Sequence, residues 1–555
     1  MIVLPDSSGR QNSAYRSAGL NASRGRSRPP TIRRNSDHVR TVFTCDAMRL
    51  TELVGNMPGA ILQGDGSDPE ITSASYDSRS AGPGSIFVAV AGFKADGHDY
   101  LKQAVLAGAS AVAVQVDRKQ KWSSTISESP VPAIIVPDAR PALARVAAAL
   151  ANYPARGLRT IGVTGTDGKT SVSHLLHHML SSTGERAGLI STAECRVGDK
   201  ILPDTGRMTT PEAPEVQQIL SEMVGARCRW SVIEATSHGL SLHRVDECEF
   251  DIALFTNLYA DHLDFHHSLE EYIAAKGRLF SMLDSAVQKD LDKTAVLNAD
   301  DQASEQLRRL TDARVIKYGL NQAADVTADK IEPDGWGSRC SVRAFGIERS
   351  IRISAPGDFN VYNALAACSV AHAGRLEIDA IIDAIHTWRG APGRMELIEE
   401  GQPFTVIVDF AHAPEALKRV LTFIRGRSAG RIIAVFGCIG ERDKDRRFGM
   451  GRVAAEYADF TIVTDDNPYS EDRNAVIAEI ARGLRAGGRR EGHDFAVISD
   501  RREAIAHALG MAVDGDAVLL AGKGHEREVH LPDAVYPCHD PSVARAVLRG
   551  LGYGR

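Results

Sequence analysis

Between residues 158 and 180 the chain leaves itself very few choices. An apolar run from Leu158 to Val163 reads as a buried strand. It breaks into glycines at 162, 165 and 168 within Ile161-Gly-Val-Thr-Gly-Thr-Asp-Gly-Lys169-Thr170-Ser171. Behind them Val172, Leu175, Leu176, Met179 and Leu180 recur at helical spacing, so one helix face is apolar. A strand that runs through small residues into a helix opened by Lys-Thr has the layout of a phosphate cradle. Backbone N–H groups of Gly165, Thr166, Asp167, Gly168 and the residues up to Ser171 can close on phosphate oxygens. Lys169 adds a charge, and the Thr170 hydroxyl can hold Mg²⁺. The spacing departs from GxxxxGK[ST], because Val163 stands where the first glycine belongs. A plain glycine turn would leave the helix-opening Lys-Thr unexplained. The expected ligand is a nucleoside triphosphate.

The length of 555 residues suits about three domains, and 43% hydrophobic with 25% charged residues is the balance of an ordinary globular chain. A net charge of −6 offers no field to recruit nucleic acid or an anionic membrane. The eight cysteines show neither CxxC pairing nor zinc spacing, which suits a reducing cytoplasm. No apolar run approaches the roughly 18 residues of a membrane helix. Residues 1–47 carry eight arginines and three aspartates. Such a segment cannot bury a core and is expected to be disordered. Its composition also fits a transit peptide. A start codon placed too early is the preferred reading, since Met48 opens a plausible helix.

Residues 48–154 read as a small α/β unit. Strands at 85–90, 111–116 and 133–136 accompany helices at 100–106 and 139–151, and a linker follows at 152–157. In the stretch 155–388, strands at 158–163, 230–234, 252–256 and 294–297 alternate with helices, which implies a parallel sheet covered on both faces. Residues 313–355 alternate in polarity and are expected to pair antiparallel. A third α/β unit, 389–555, has strands at 405–409, 431–436, 460–464, 495–498 and 517–521. Ligands of open α/β sheets gather at the carboxyl ends of the strands, so the loops there are where chemistry is expected.

Trp230-Ser-Val-Ile-Glu234 is a strand ending in a carboxylate beside the phosphate loop, a natural Mg²⁺ ligand, although such a Glu is more often a helix cap. Asn257 then leads into Asp261-His262-Leu-Asp264-Phe-His266-His267, too dense in acids and histidines for a plain solvated turn. Zinc is the rival there, but no cysteine or HxxxH helix supports it. Lys276, in Tyr272-Ile-Ala-Ala-Lys-Gly-Arg-Leu-Phe, would by composition alone face solvent.

Taken in order, Gly-Thr-Asp-Gly-Lys-Thr, Glu234-Ala-Thr-Ser-His-Gly-Leu, Phe255-Thr-Asn-Leu-x-x-Asp-His-Leu-Asp and Tyr-x-x-Ala-Lys-x-x-Leu-Phe resemble the Mur ligases. Within them they resemble the branch that adds the third residue of the peptidoglycan stem. The likeness runs from about Met48 to the C-terminus. Ser75-Tyr-Asp-Ser78-Arg79 and Asp96-Gly resemble that branch's uridine-nucleotide domain, a front end that folylpolyglutamate synthases lack.

The resemblance implies a three-domain α/β architecture: an N-terminal uridine-nucleotide domain, a central P-loop-type parallel-sheet domain and a C-terminal Rossmann-like domain. It also implies roles. Gly165 to Ser171 would hold ATP, with Asn257 near the phosphates and Asn360 by the adenine. Lys169, Glu234, His262 and Lys276 would be catalytic. Thr170, Glu234 and His262 would hold Mg²⁺ together with Lys276, which this family carbamylates. Ser78, Thr209, Thr210, Thr236 and Arg244 would bind the UDP-sugar dipeptide. In the third domain, Gly393-Arg394-Met395-Glu396 and Asp409-Phe-Ala-His412 resemble the hinge-side and ATP-side motifs. Arg442, Asp466, Asn467, Gly522 and Glu526 match the amino-acid pocket, where an arginine suits a carboxylate and the acids suit ammonium groups.

Four positions depart from the pattern. Asp167 replaces an asparagine, setting an acid beside phosphates that a metal or a lysine must offset. Leu242 stands for a glutamine that helps hold the peptide, and Ile439 replaces a second glycine. Tyr469 stands for the arginine with which diaminopimelate-selecting members bind the distal carboxylate, leaving lysine or ornithine open unless Arg473 or another cation substitutes. The implied activity is an ATP-dependent ligase, a cytoplasmic monomer, joining a diamino acid to UDP-N-acetylmuramoyl-L-alanyl-D-glutamate through an acyl phosphate. A similar amide ligase of another pathway is the alternative. A nucleotide-binding switch is the rival of another class, and it would tolerate loss of Glu234, His262 and Lys276.

Overall fold

In the computed structural model, which describes residues 47–554 apart from 65, 94, 204–207, 442 and 443, three large sheets follow one another along the chain, with two two-stranded sheets besides. The expectations for residues 1–46 and for Arg442 fall outside the described residues. The first sheet has five strands: β1 (Ile61–Gln63), β2 (Ser73–Ser75), β3 (Ser85–Val88), β4 (Ala111–Gln115) and β5 (Ala133–Val136), in the order β1-β5-β4-β3-β2. β2 to β5 run parallel and β1 is antiparallel to β5. Helix α1 (Ala139–Leu150) packs Leu143, Val146 and Leu150 into this unit's core.

The eleven-stranded second sheet holds the glycine-loop strand in its interior. Along the chain come β6 (Arg159–Thr164), α2 (Lys169–Ser182), β7 (Ala187–Ile190), β8 (Cys195–Val197), β9 (Lys200–Ile201), β10 (Trp230–Glu234), β11 (Ile252–Phe255), α3 (Leu269–Ser285), β12 (Thr294–Asn298), β13 (Arg314–Tyr318), β14 (Val326–Asp334), β15 (Gly337–Ala344), β16 (Ile347–Ile353) and α4 (Phe359–Ala373). The spatial order is β9-β8-β7-β10-β6-β11-β12-β13-β14-β15-β16. β6 pairs in parallel with β10 on one side and β11 on the other, so both neighbours end where the glycine loop begins. β7, β8 and β9 pair antiparallel at one end of the sheet; β13 pairs in parallel with β12, and beyond residue 313 antiparallel pairing begins at β14 with β15 and continues to β16. The expected antiparallel stretch from 313 therefore begins one strand later. Arg314–Tyr318 has three partly or fully buried residues at its end and continues the buried parallel layer.

Side chains alternate across β6. Ile161 and Val163 join α2 and α4 in one core, while Phe250, Leu279 and Phe280 fill the opposite face. α2 departs from a simple amphipathic helix. Its apolar stripe is buried, but so are Ser173, His174 and His177 on its other face.

The third sheet has six strands, with β17 (Glu396–Leu397), β18 (Thr405–Asp409), β19 (Ile432–Phe436), β20 (Phe460–Val463), β21 (Phe495–Val497) and β22 (Ala517–Ala521) in the order β17-β18-β22-β19-β20-β21. All but β17 run parallel. Helices α5 (Pro414–Arg425) and α6 (Arg501–Met511) belong to this unit. The strands lie within two residues of their expected bounds because each is a short β-branched run ended by a polar loop. Among the described residues no helix is long and apolar enough to cross a membrane.

Candidate active site

The loop after β6 is shaped by its glycines. Gly165 sits at φ +146° and Gly168 at φ +84°, and a Cβ on Gly165 would lie 1.8 Å from Thr256 Oγ1. A Cβ on Gly168 would meet Asn363 Oδ1 at 2.9 Å. Asn257 pins the loop from β11: its carbonyl accepts from Thr166 N at 2.8 Å and its Oδ1 from Asp167 N at 2.9 Å. Asn360 lies buried at the start of α4, donating to Pro356 O at 2.7 Å and accepting from Asn363 at 2.8 Å. Asn363, three positions beyond Asn360, is thus the α4 side chain that meets the loop.

Glu234 ends β10 directly opposite the helix start. Thr170 Oγ1 donates to both its oxygens, at 3.0 and 3.2 Å, and Thr192 donates to them through N and Oγ1 at 2.9 and 3.0 Å. A hydroxyl and a buried carboxylate meeting beside a phosphate cradle are hard oxygen donors, and they fit one Mg²⁺ whose other ligands are water and phosphate. Two lysines share the carbonyl of Gly165. Lys169 Nζ donates to it at 3.1 Å and to Thr166 O at 2.8 Å; Lys276 Nζ donates to it at 2.6 Å. Lys276 is 1% exposed and sits over the Tyr272 ring, so the solvent-facing reading of a helical lysine fails here. Burial, then the neighbouring Lys169 charge, push its amine well below the ordinary lysine range.

His262 takes a left-handed conformation, φ +53°, and its ring stands 5.0 Å from that of His238, which stacks on Phe265 at 4.1 Å. His238 and His266 are both pushed down to about 4, chiefly by burial, so this aromatic nest is neutral near pH 7. Among the described residues no three His, Cys, Asp or Glu side chains gather as a ready metal cage. Thr170 and Glu234 are in mutual contact, whereas no contact joins His262 or Lys276 to them. Mg²⁺ keeps much of its shell as water and phosphate, which is why an incomplete protein shell still fits.

The third unit reaches into this site. Arg394 Nη2 donates to Thr170 Oγ1 at 3.5 Å and its guanidinium lies over Phe410. Asp167, whose acid needed a counter-charge, finds an arginine in place of the expected metal or lysine: Arg419 Nη2 of α5 donates to its Oδ2 at 2.7 Å.

On the opposite flank, Thr210 Oγ1 donates to Glu234 O at 2.8 Å and lies 3.0 Å from Thr236 Oγ1. Thr209 Oγ1 accepts from Thr192 at 3.0 Å, and Arg244 pairs with Glu212 at 2.7 Å and donates to Thr210 O. Ser78, in the first unit, donates to Gln103 at 3.1 Å. It belongs to a separate patch, which meets the second unit through Tyr76 OH donating to Glu215 at 2.9 Å.

At the carboxyl ends of β20 and β22, Asp466, Asn467, Gly522 and Glu526 come together around a residue the sequence reading passed over. Lys523 Nζ, 0% exposed, donates to Glu526 at 2.7 Å and Asn467 Oδ1 at 3.2 Å, with Asp466 at 3.7 Å. The acids read as partners for incoming ammonium groups already hold a cation. Beneath them Arg501, fully buried, pairs with Asp540 at 2.6 Å and donates to Asp465 O and Ala521 O. Arg473, the proposed stand-in for the missing arginine, is engaged by Asp465. Tyr469, φ +53°, donates its N–H to His530 O at 3.1 Å. No local spacing announces Lys523 or Arg501; each is recognisable only by burial.

Family models match in three consecutive stretches: Mur ligase family, catalytic domain, over residues 70–150; Mur ligase middle domain over 163–371; and Mur ligase, glutamate ligase domain, over 393–524. A UDP-N-acetylmuramyl-tripeptide synthetase of Roseiflexus sp. (strain RS-1) is 43% identical over 88% of this chain and 96% of its own. A UDP-N-acetylmuramoyl-L-alanyl-D-glutamate–2,6-diaminopimelate ligase of Bacillus velezensis is 38% identical over 90% and 99%. Among solved structures, a UDP-N-acetylmuramoyl-L-alanyl-D-glutamate–2,6-diaminopimelate ligase superposes with a TM-score of 0.62 at 29% identity, covering 91% of this chain and 99% of that one.

Proposed function

The chain belongs to the Mur ligase family, and from that premise we propose that it is an ATP-dependent ligase adding a diamino acid to UDP-N-acetylmuramoyl-L-alanyl-D-glutamate in peptidoglycan synthesis. The observation that carries this is the convergence on one loop of the Thr170–Glu234 pair and the two lysines on Gly165 O. We assign residues 48–154 to the uridine nucleotide, 155–388 to ATP and 389–555 to the amino acid.

The acceptor's terminal carboxylate attacks the γ-phosphorus of ATP, giving an acyl phosphate and ADP. The amine of the diamino acid then attacks the acyl carbon. The tetrahedral intermediate expels inorganic phosphate, the nitrogen loses a proton, and an amide remains. The loop N–H groups and Lys169 hold the phosphates and offset charge that develops on them. Thr170 and Glu234 would hold Mg²⁺, and His262 and modified Lys276 would supply ligands for a second ion. When bound, the metal polarises the γ-phosphate. The depressed basicity of Lys276 favours the neutral amine, the form that adds to CO₂. The new N–C bond forms, one proton leaves, and the neutral amine becomes a carboxylate-like anion. Thr209, Thr210, Thr236, Arg244 and Ser78 orient the acceptor, and closure of the third domain excludes water that would hydrolyse the acyl phosphate.

Arg442, Asp466, Asn467, Gly522 and Glu526 hold the diamino acid. With Lys523 among them, Asp466 and Glu526 present one net negative charge, enough for one ammonium group. Several relatives are diaminopimelate ligases by name, while Tyr469 cannot reproduce a bidentate guanidinium. Phosphate release with ATP, Mg²⁺ and the UDP-dipeptide, offered meso-diaminopimelate, L-lysine and L-ornithine separately, tests the reading. Turnover with one of them is expected. Silence with all three would point to an amide ligase acting on another acceptor.

A further inference from the structure

In this chain the phosphate loop carries an acid at its tip, and the third domain supplies its counter-ion. Asp167 lies between Thr166 and Gly168, where bound phosphates would come close to its carboxylate. Arg419 Nη2 meets its Oδ2 at 2.7 Å and also donates to Tyr259 OH at 3.3 Å. Tyr259 follows β11 and lends its own backbone to the loop, its carbonyl accepting from Thr166 Oγ1 at 3.4 Å. Arg419 is not isolated on α5. Phe423, one turn on, approaches Trp336 at 6.2 Å between ring centres, and Arg427 just beyond the helix donates to Asp358 at 2.8 Å, beside the start of α4. Positions 419, 423 and 427 form one stripe at helical spacing, all turned to the second sheet's unit.

We propose that Arg419 is a positioning residue for ATP: through Asp167 it neutralises the acid in the phosphate loop, so that nucleotide affinity depends on the third domain being docked. This rests on the reading of Gly165–Ser171 as the ATP cradle. The pair is half exposed on both sides, 56% and 51%, so it adds little to stability by itself. Its effect emerges when phosphates arrive. With Arg419 in place the loop tip is neutral; with α5 withdrawn a carboxylate faces the triphosphate, and like charges disfavour binding. Docking and nucleotide binding are then linked, and by reciprocity bound ATP favours the docked arrangement. Arg394 acts at a different point, on Thr170, and cannot replace Arg419 at the tip.

The test is direct binding of a non-hydrolysable ATP analogue with Mg²⁺, measured by calorimetry on the full chain without acceptor or amino acid, alongside the KM for ATP. Arg419→Ala should weaken nucleotide binding about tenfold, equivalent to about 1.4 kcal/mol. Asp167→Asn should tighten it, because Arg419 is left as an uncompensated cation beside the phosphates. The double variant should return close to the parent, and Arg419→Lys should lie between. Equal weakening in Arg419→Ala and in the double variant would overturn the proposal, since Arg419 would then not act through Asp167. So would unchanged binding in Arg419→Ala. Failure of the parent chain itself to bind the analogue would instead overturn the ATP-cradle reading. The exposed positions leave the fold intact, which a thermal melt of each variant checks.

Discussion

Around Gly165–Ser171, most groups of the proposed nucleotide site come from one stretch of chain and its two neighbouring strands: the loop itself, Glu234 at the end of β10, and Asn257 just past β11. The pocket of the third sheet is assembled differently. Asp466 and Asn467 follow β20, Gly522 to Glu526 follow β22, and the two loops are held by Arg501 from α6, which bonds Asp465 O and Ala521 O and is itself paired to Asp540. The cradle is local and fixed by backbone conformation. The pocket is non-local and fixed by buried charge. On the proposed function, chemistry common to the family sits in the first site and choice among amino acids in the second, where one buried side chain, Lys523, resets the charge of the others.

The largest effect expected is in the cradle. Lys276→Ala removes the buried amine that shares Gly165 O with Lys169 and whose lowered basicity favours carbamate formation. Ligation should fall about a thousandfold, the scale of losing one preorganised charge at a reacting centre. Added bicarbonate should not restore it, because no amine remains at position 276 to react. Near-parental phosphate release in Lys276→Ala would end the carbamate role.

Arg501→Met separates the two regions. It strands Asp540 as a buried unpaired carboxylate and frees the ends of β20 and β22. Urea unfolding of the third domain should shift by about 3 kcal/mol, within the usual range for breaking a buried pair. Nucleotide binding at Gly165–Ser171 should persist in whatever fraction stays folded, whereas amino-acid-dependent phosphate release should drop. If both fall together, the pocket and the cradle are one cooperative unit. Arg501→Met/Asp540→Leu should recover much of the loss.

Lys523→Met probes the pocket's charge. Without that cation Asp466 and Glu526 carry one more net negative charge, and an amino acid with a free distal ammonium gains over one whose distal end is a zwitterion. One charge at about 8 Å and an effective dielectric near 20 corresponds to about 2 kcal/mol, or about 30-fold in the ratio of KM values for meso-diaminopimelate and L-lysine. An unchanged ratio would make Lys523 a structural counter-ion with no part in selection.

What could be read from sequence follows the same division. The strand–glycine–helix unit, Glu234 and the five parallel strands of the third sheet were legible because each is a contiguous pattern: an apolar run, a break, a polar tip. Lys276 was legible only through resemblance, since a helical lysine looks the same whether it faces solvent or, as here, lies buried beneath a loop. Arg419 was invisible for a different reason. Its partner Asp167 is 252 positions away, and α5 at 419, 423 and 427 shows an ordinary mixed surface until the second sheet's unit lies against it. Lys523 was in plain view inside Gly-Lys-Gly-His-Glu, yet nothing in that motif tells that its amine turns inward. The β13 boundary was misplaced because Arg314 and Lys317 interrupt its apolar residues, so an interior parallel strand imitates the polar alternation of an antiparallel one.

The smallest expected effect concerns the polar face of α2, behind the cradle. His174 lies 3.1 Å from Ser191 Oγ and is pushed down to about 3, by burial first and then by His177 and Arg196. Its folded value is below that of an unfolded histidine, near 6.5, so the unfolded chain binds more protons between those limits. Stability from this group is therefore complete above pH 6.5 and is lost as the pH falls toward 3. At pH 5.5 the loss amounts to about 1.4 kcal/mol relative to pH 7.5. His174→Gln keeps a partner for Ser191 and cannot titrate. Urea midpoints of parent and variant, compared at the two pH values, should show the parent losing about that much more. Parallel shifts in both proteins would place the pH sensitivity elsewhere, with the half-buried His238 and the buried His266 beside the loop as the next groups to substitute.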